Sequence, residues 1–105
     1  MAFSIILAPE AIEDFKGLKA NVRSVVRTAL DIYLRHEPTK ASRSRIKRLR
    51  GMGRPQYRLR VDDVRVFYDV SNSTVEILAI VNKSEAATWL ARFGKPARGK
   101  SRSPR

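Results

Sequence analysis

From Gln56 to Val61 the residues alternate between polar and apolar, break at Asp62-Asp63, and alternate again from Val64 toward Val70. Period two on both sides of a two-residue polar break is the pattern of a β-hairpin. With Asp62-Asp63 as the loop, Val61 stands opposite Val64. The pleat then sorts Tyr57, Leu59, Val61, Val64, Val66 and Tyr68 onto one face. Arg58, Arg60, Arg65, Phe67 and Asp69 fall on the other, with Arg60 directly across from Arg65. Like charges in that position destabilise a sheet. The pattern leaves two readings open: a functional surface that breaks a local rule, or an ordinary solvated sheet face.

The rest of the chain supplies what such a hairpin packs against. Residues 2 to 8 (AFSIILA) predict a first strand with Phe3, Ile5 and Leu7 on one face. Pro9, followed by Glu10, Glu13 and Asp14, opens a short helix that ends at Gly17. Val22, Val25, Val26, Ala29, Leu30 and Tyr33 recur at helical spacing and predict a second helix over 20 to 36, closed by His36-Glu37-Pro38. Residues 39 to 55 form a basic connection, part loop and part helix, anchored by Ile46, Leu49 and Met52. After the hairpin, Asn72-Ser73 makes a second turn. Val75 to Val81 is apolar on both faces, which places it inside the sheet. Ser84 caps a last helix that carries Glu85 in its first turn and runs through Trp89, Leu90 and Phe93 to Gly94. The expected architecture is a small α+β domain over residues 1 to 94, in the order β-α-α-β-β-β-α. Its twisted sheet is mostly antiparallel, and the two N-terminal helices pack on one face. Residues 95 to 105 are expected to be a disordered basic tail.

Composition narrows the chemistry. At 105 residues one domain is the default, and 43% apolar content is that of a globular chain. Cysteine is absent, which excludes disulfides, thiolate catalysis and cysteine-based metal sites. No run approaches a membrane span of roughly 18 apolar residues, the N-terminus lacks a signal-peptide pattern, and a cytoplasmic protein is expected. One histidine and scattered carboxylates form no recognisable ligand set, so neither a metal nor another cofactor is expected. His36, at a helix C-terminus, reads as dipole compensation rather than as a catalyst.

Charge is uneven. The formal net charge is +12 with pI near 11.1, yet residues 1 to 39 are balanced. Residues 40 to 65 hold ten basic residues against Asp62 and Asp63. A localised positive field calls for a polyanionic partner such as nucleic acid, the ribosome or an acidic protein. Lys47, Arg48, Arg50 and Arg54 are candidate phosphate contacts on an outward-facing arm. Trp89 is a candidate for stacking a base, with an ordinary core role as the alternative.

The segment Leu49-Arg50-Gly51-Met52, the strands Tyr57-Arg58-Leu59-Arg60-Val61 and Val64-Arg65-Val66-Phe67-Tyr68, and the closing Asn82-Lys83-Ser84-Glu85 resemble the RelE/ParE superfamily of bacterial type II toxins. The resemblance runs from residue 2 to about 93. Its RelE branch implies an enzyme that enters the ribosomal A site and cleaves mRNA. It also implies a cognate antitoxin that neutralises the toxin, and operator DNA bound only by the toxin-antitoxin complex. Its ParE branch implies a poison of DNA gyrase. A third outcome is a non-catalytic module that keeps antitoxin binding and repression.

Carried over by position, the basic pair of a RelE-like nuclease corresponds to Arg58 and Arg60, and the next strand's arginine to Arg65. The family's later arginine and stacking tyrosine fall at Ser84 and Leu90, with Lys83 and Trp89 adjacent as substitutes. Metal-free RNA cleavage needs a base for the 2′-OH, stabilisation of the phosphorane, and a proton for the 5′ oxygen. Arg60 and Arg65 suit the second need because guanidinium stays charged and matches phosphate oxygens. Arg58 would position the phosphate or serve the leaving group. Glu85 is the candidate base, with a helix first-turn acid as its plainer reading.

Overall fold

The computed structural model describes residues 2–97. Its elements are β1 (Ser4–Leu7), α1 (Pro9–Lys16), α2 (Ala20–Ala29), β2 (Ile46–Arg48), β3 (Met52–Arg54), β4 (Tyr57–Val61), β5 (Val64–Ser71), β6 (Thr74–Asn82), α3 (Lys83–Phe93) and β7 (Lys95–Pro96). α2 continues through a π-helical turn, Leu30–Leu34, that keeps both end residues buried. The five-stranded sheet has the order β1-β6-β5-β4-β2. β1 pairs parallel to β6, and every other ladder in this sheet is antiparallel.

The hairpin has the expected register: Val61 faces Val64 and Arg60 faces Arg65. Asp62 takes φ 51, a left-handed conformation that aspartate tolerates better than most residues. The apolar face meets the helices. Leu59, Val61, Val64, Val66, Tyr68, Val75, Ile77 and Ile80 pack with Ala11, Val26, Ala29, Leu30 and Leu34 in one core. Within it Tyr57 stacks on Tyr68 (centroids 5.5 Å apart), and the Tyr68 hydroxyl donates to the Pro38 carbonyl at 2.6 Å.

β6 is interior as expected, between β1 and β5, but its two apolar faces have a specific cause. The pairing shifts between Phe67↔Ala79 and Tyr68↔Ile77, so Leu78 is an extra residue on β6. A bulge of one residue reverses the alternation beyond it. Val75, Ile77 and Ile80 therefore all reach the helix side. β1 ends at Leu7, and beyond it the Asp14 carboxylate accepts the Ile80 N–H at 3.0 Å, fastening α1 to the open edge of β6.

The basic connection differs from expectation. Residues 46–48 form the edge strand β2 against β4, and 52–54 form β3, which pairs with β7 in a second small sheet. Three residues with one apolar anchor are too short to show a period, so the sequence pattern predicts no strand there. Lys95 and Pro96 belong to this paired structure, so order persists past residue 94. The remainder of the expected tail, 98–105, lies outside the described residues. α3 starts at Lys83, so the capping position falls on Asn82, which makes no side-chain cap, and not on Ser84. Among the described residues no helix is long and apolar enough to cross a membrane.

Candidate functional site

The hairpin places its arginines where the pleat dictates. Arg58 lies opposite Phe67 on β5 and opposite Lys47 on β2, and Arg60 lies opposite Arg65. Lys47, Arg58, Arg60 and Arg65 thus share the sheet face away from α1 and α2. Among the described residues none of the four forms an ion pair with a carboxylate. Arg65 donates to the Asp62 and Val64 carbonyls at 2.8 and 3.1 Å, which holds its guanidinium near the turn. Arg45, not singled out from the sequence, donates to the Arg60 carbonyl at 3.2 Å and brings another cation to this edge.

Arg58 is the constrained member. Its Nε is buried without a hydrogen-bond partner. Burial, and then the charges of Arg65 and Arg60, push its pKa below the ordinary arginine value. A half-buried guanidinium with an idle donor, crowded by two like charges and no carboxylate, is a site that an anion would relieve.

Part of this face is covered. α3 crosses it, and Phe67 is only 2% exposed because the Trp89 ring lies on it, centroids 4.9 Å apart and planes 9° from parallel. The cue was available: Phe67 is the one large apolar residue in the polar series of the hairpin. Trp89 also meets Phe93 at 5.6 Å. Its packing role is therefore clear, and the basic group occupies β2, β4 and the turn end of β5, beyond the part that α3 covers.

The other candidates divide. Lys83 joins the arginine end: its ammonium is 3.3 Å from Asp63 and its N–H bonds the Asp63 carbonyl, on the same turn that holds Arg65. Glu85 does not. It lines a recess with Glu13, Asp14 and Asn82 on the α1 side, because the first turn of α3 carries it past the sheet edge. Asp69, a carboxylate on this face opposite Glu76, accepts the Gln56 N–H at 2.7 Å and faces Arg54 at 3.9 Å. Burial raises its pKa against the opposing pull of that hydrogen bond and of Arg54. No candidate base therefore stands beside the arginines among the described residues.

The arm is also divided. Lys47 points to the arginine face, but Arg48 is one residue on and points to the other. There it lies over the Tyr57 ring and donates to the Leu49 and Gln56 carbonyls at 3.0 and 2.9 Å. Its position is explained by holding the β2–β3 turn. Arg54 is drawn to Asp69 and Glu76, 3.9 and 3.8 Å away. Arg50 is exposed in the turn beside Gly51, whose φ of 75 suits glycine. No group of three or more metal-ligating side chains occurs among the described residues.

A five-stranded sheet backed by two N-terminal helices is a fold that this chain shares with several solved structures. The archaeal RelE–RelB complex from Pyrococcus horikoshii contains a chain that superposes with a TM-score of 0.65 at 23% identity, covering 79% of this chain and 97% of that one. A mutant of the E. coli toxin RelE, solved in the free state, gives 0.64 at 20% identity, covering 89% and 99%. The RelBE2 complex of Mycobacterium tuberculosis gives 0.58 at 20%, covering 78% and 99%. Comparison with curated protein sequences found no match. Residues 5–87 match the family described as the ParE toxin of the type II toxin-antitoxin system, parDE. The chain belongs to the RelE/ParE superfamily of type II toxin-antitoxin toxins.

Proposed function

We propose that this toxin acts on RNA, cleaving mRNA on the ribosome, with the Lys47–Arg58–Arg60–Arg65 face as its phosphate site. The observation that carries this reading is the buried, partnerless Nε of Arg58 within a group of arginines that no carboxylate neutralises. Such donors in a half-desolvated site bind an anion more strongly than they would in water. Arg60 and Arg65 would stabilise charge on the phosphorane, Arg58 would orient the phosphate, and Lys83 would extend the field at the hairpin tip. With Glu85 on the far side of α3, general-base catalysis falls to a group brought by the ribosome or the RNA.

The same absence of a nearby base favours the second reading, a toxin that blocks DNA gyrase without hydrolysis. Either reading includes a cognate antitoxin, an acidic and apolar segment laid over the basic face. Toxin chains of similar fold have been solved with RelB. Brief induction followed by transcriptome-wide mapping of new RNA 5′ ends tests the choice, with Arg65→Ala as control. Cuts inside translated frames that need active ribosomes and vanish in the variant are expected. Growth arrest without new ends would overturn the nuclease reading, and a supercoiling assay would then test the gyrase one.

A further inference from the structure

One arginine outside the phosphate face is tied to it twice. Arg45 stands immediately before β2, where the β4 edge would otherwise be bare. Its carbonyl accepts the Arg60 N–H at 2.9 Å, and its guanidinium donates back to the Arg60 carbonyl at 3.2 Å. Arg60 is also the partner of Arg65, so the three arginines hold neighbouring positions on successive chains, each step about 4.8 Å. The Arg45 side chain leaves that row. It turns round the sheet edge and lies over the Tyr33 ring, 5.2 Å from its centre. Among the described residues no carboxylate pairs with it.

Beyond that edge Arg45 walls a recess of about 290 Å³, together with Tyr33, His36, Lys40, Ser42, Ser44 and Ile46. The volume is just below the usual span of small-molecule pockets, so it suits one nucleotide rather than several. Its one carboxylate, Glu37, is 3.8 Å from the Lys40 ammonium, which leaves the charge of Arg45 uncompensated. Ser42 Oγ accepts the Arg45 and Ile46 N–H groups at 3.0 and 3.2 Å and keeps its own hydrogen to donate. A second recess on the other side of Arg45 carries Asp62, whose charge repels a phosphate chain. A guanidinium backed by a ring and pinned at one nitrogen has already lost rotamer freedom. A base that stacks on its outer face therefore costs little further ordering. Positive charge combined with π surfaces is how single-stranded nucleic acid is held.

We propose that Arg45 is the stacking plate for one base of a bound RNA strand, seated in this recess next to the nucleotide whose phosphate Arg60 and Arg65 hold. The subsite presupposes the RNA reading of the arginine face and adds to it a place that recognises a base rather than a charge. A strand crossing that face passes over the start of β2, and its next base turns round the edge onto Arg45, with Tyr33 as the layer beneath. The Ser42 and Ser44 hydroxyls supply hydrogen bonds to the base edge, a source of base preference that phosphate contacts alone do not give.

The full-length protein is titrated with a 2′-O-methyl tetranucleotide, which lacks the 2′-OH that cleavage needs. One 2-aminopurine is placed at each position in turn, because its emission falls when it stacks. Quenching on binding is expected at one position, and an abasic nucleotide there should weaken binding about fivefold or more, the low end for one stacked base. Arg45→Lys keeps the charge and loses the plane, and Tyr33→Leu removes the layer beneath it. Both should abolish the quenching and leave the salt dependence of binding unchanged. Arg58→Ala should do the reverse, flattening the salt dependence while the quenching persists. Arg45→Lys keeps the side-chain stem, so its melting curve should match that of the wild type. Quenching at no position, quenching indifferent to Arg45→Lys, equal binding of the abasic strand, or no saturable binding by folded protein would overturn the subsite. The nuclease reading is judged by the mapping of 5′ ends, which this titration does not enter, so the two fail separately.

Discussion

Arg60 and Arg65 stand directly opposite one another across the β4–β5 ladder, with no carboxylate paired to either. Opposed like charges cost stability, so Arg60→Thr should raise unfolding free energy by about 0.2–1 kcal/mol while reducing toxicity. Urea denaturation and growth after induction read the two effects. A lower urea midpoint in the variant would contradict the account of this pair.

Phosphate contacts release counterions, and each contact contributes about 0.7 to the log–log salt slope on single-stranded RNA. Arg58→Ala and Lys47→Ala should each flatten that slope by about this amount. Arg48→Ala should leave it unchanged and lower the melting temperature instead, because Arg48 ties the Leu49 and Gln56 carbonyls. Filter binding over a salt series distinguishes the two kinds of residue.

Tyr68→Phe removes the donor to the Pro38 carbonyl in a buried setting and should cost about 1–3 kcal/mol. Burial pushes the Tyr68 hydroxyl well above the usual tyrosine value. A group with a raised folded pKa lends stability that is complete below its unfolded pKa, about 10, and is lost as pH rises above that. Wild-type stability should fall as pH climbs past 10, and part of that fall should be missing in Tyr68→Phe. Equal alkaline slopes in the two proteins would count against this assignment.

Asp14→Ala leaves the Ile80 N–H without its acceptor at the edge where β1 ends. The expected loss is about 1–3 kcal/mol, with faster hydrogen exchange at Ile80. Unaltered protection at that amide would show that the carboxylate is dispensable.

Ending the chain after Gly94 deletes β7 and frees β3 and the end of α3. Gly94 leaves no room for a Cβ against the Met52 side chain of β3, so β3 lies close against the helix end. The truncated protein should show red-shifted Trp89 emission, since its cover on Phe67 loosens. An identical spectrum would mean that α3 holds its place unaided.

What could be seen in the residues beforehand was whatever repeats. The hairpin alternates on both sides of Asp62-Asp63, with Phe67 as its one exception, so its register and faces were legible. α1 and α2 were marked by Pro9, Gly17 and the helical spacing of Val22, Val26 and Leu30. β2 and β3 were not, because three residues cannot display a period and their side chains are mostly charged. The bulge at Leu78 is a matter of pairing and leaves no local mark in a run as apolar as Ile77 to Val81. The arginines were legible as a group because the pleat alone aligns them. The separation of Glu85 from them was not, since it depends on the angle at which α3 leaves β6.

Ten basic residues against two acidic ones in residues 40–65, beside a charge-balanced stretch over 1–39, make the charge of the molecule lopsided toward β2 and the hairpin. In the field of a polyanion such a body feels a torque as well as a pull, and it turns its β2 side forward before contact. Encounters would then arrive with Lys47 and Arg60 leading. The site would be presented by the approach itself, faster at low ionic strength than net charge alone would make it.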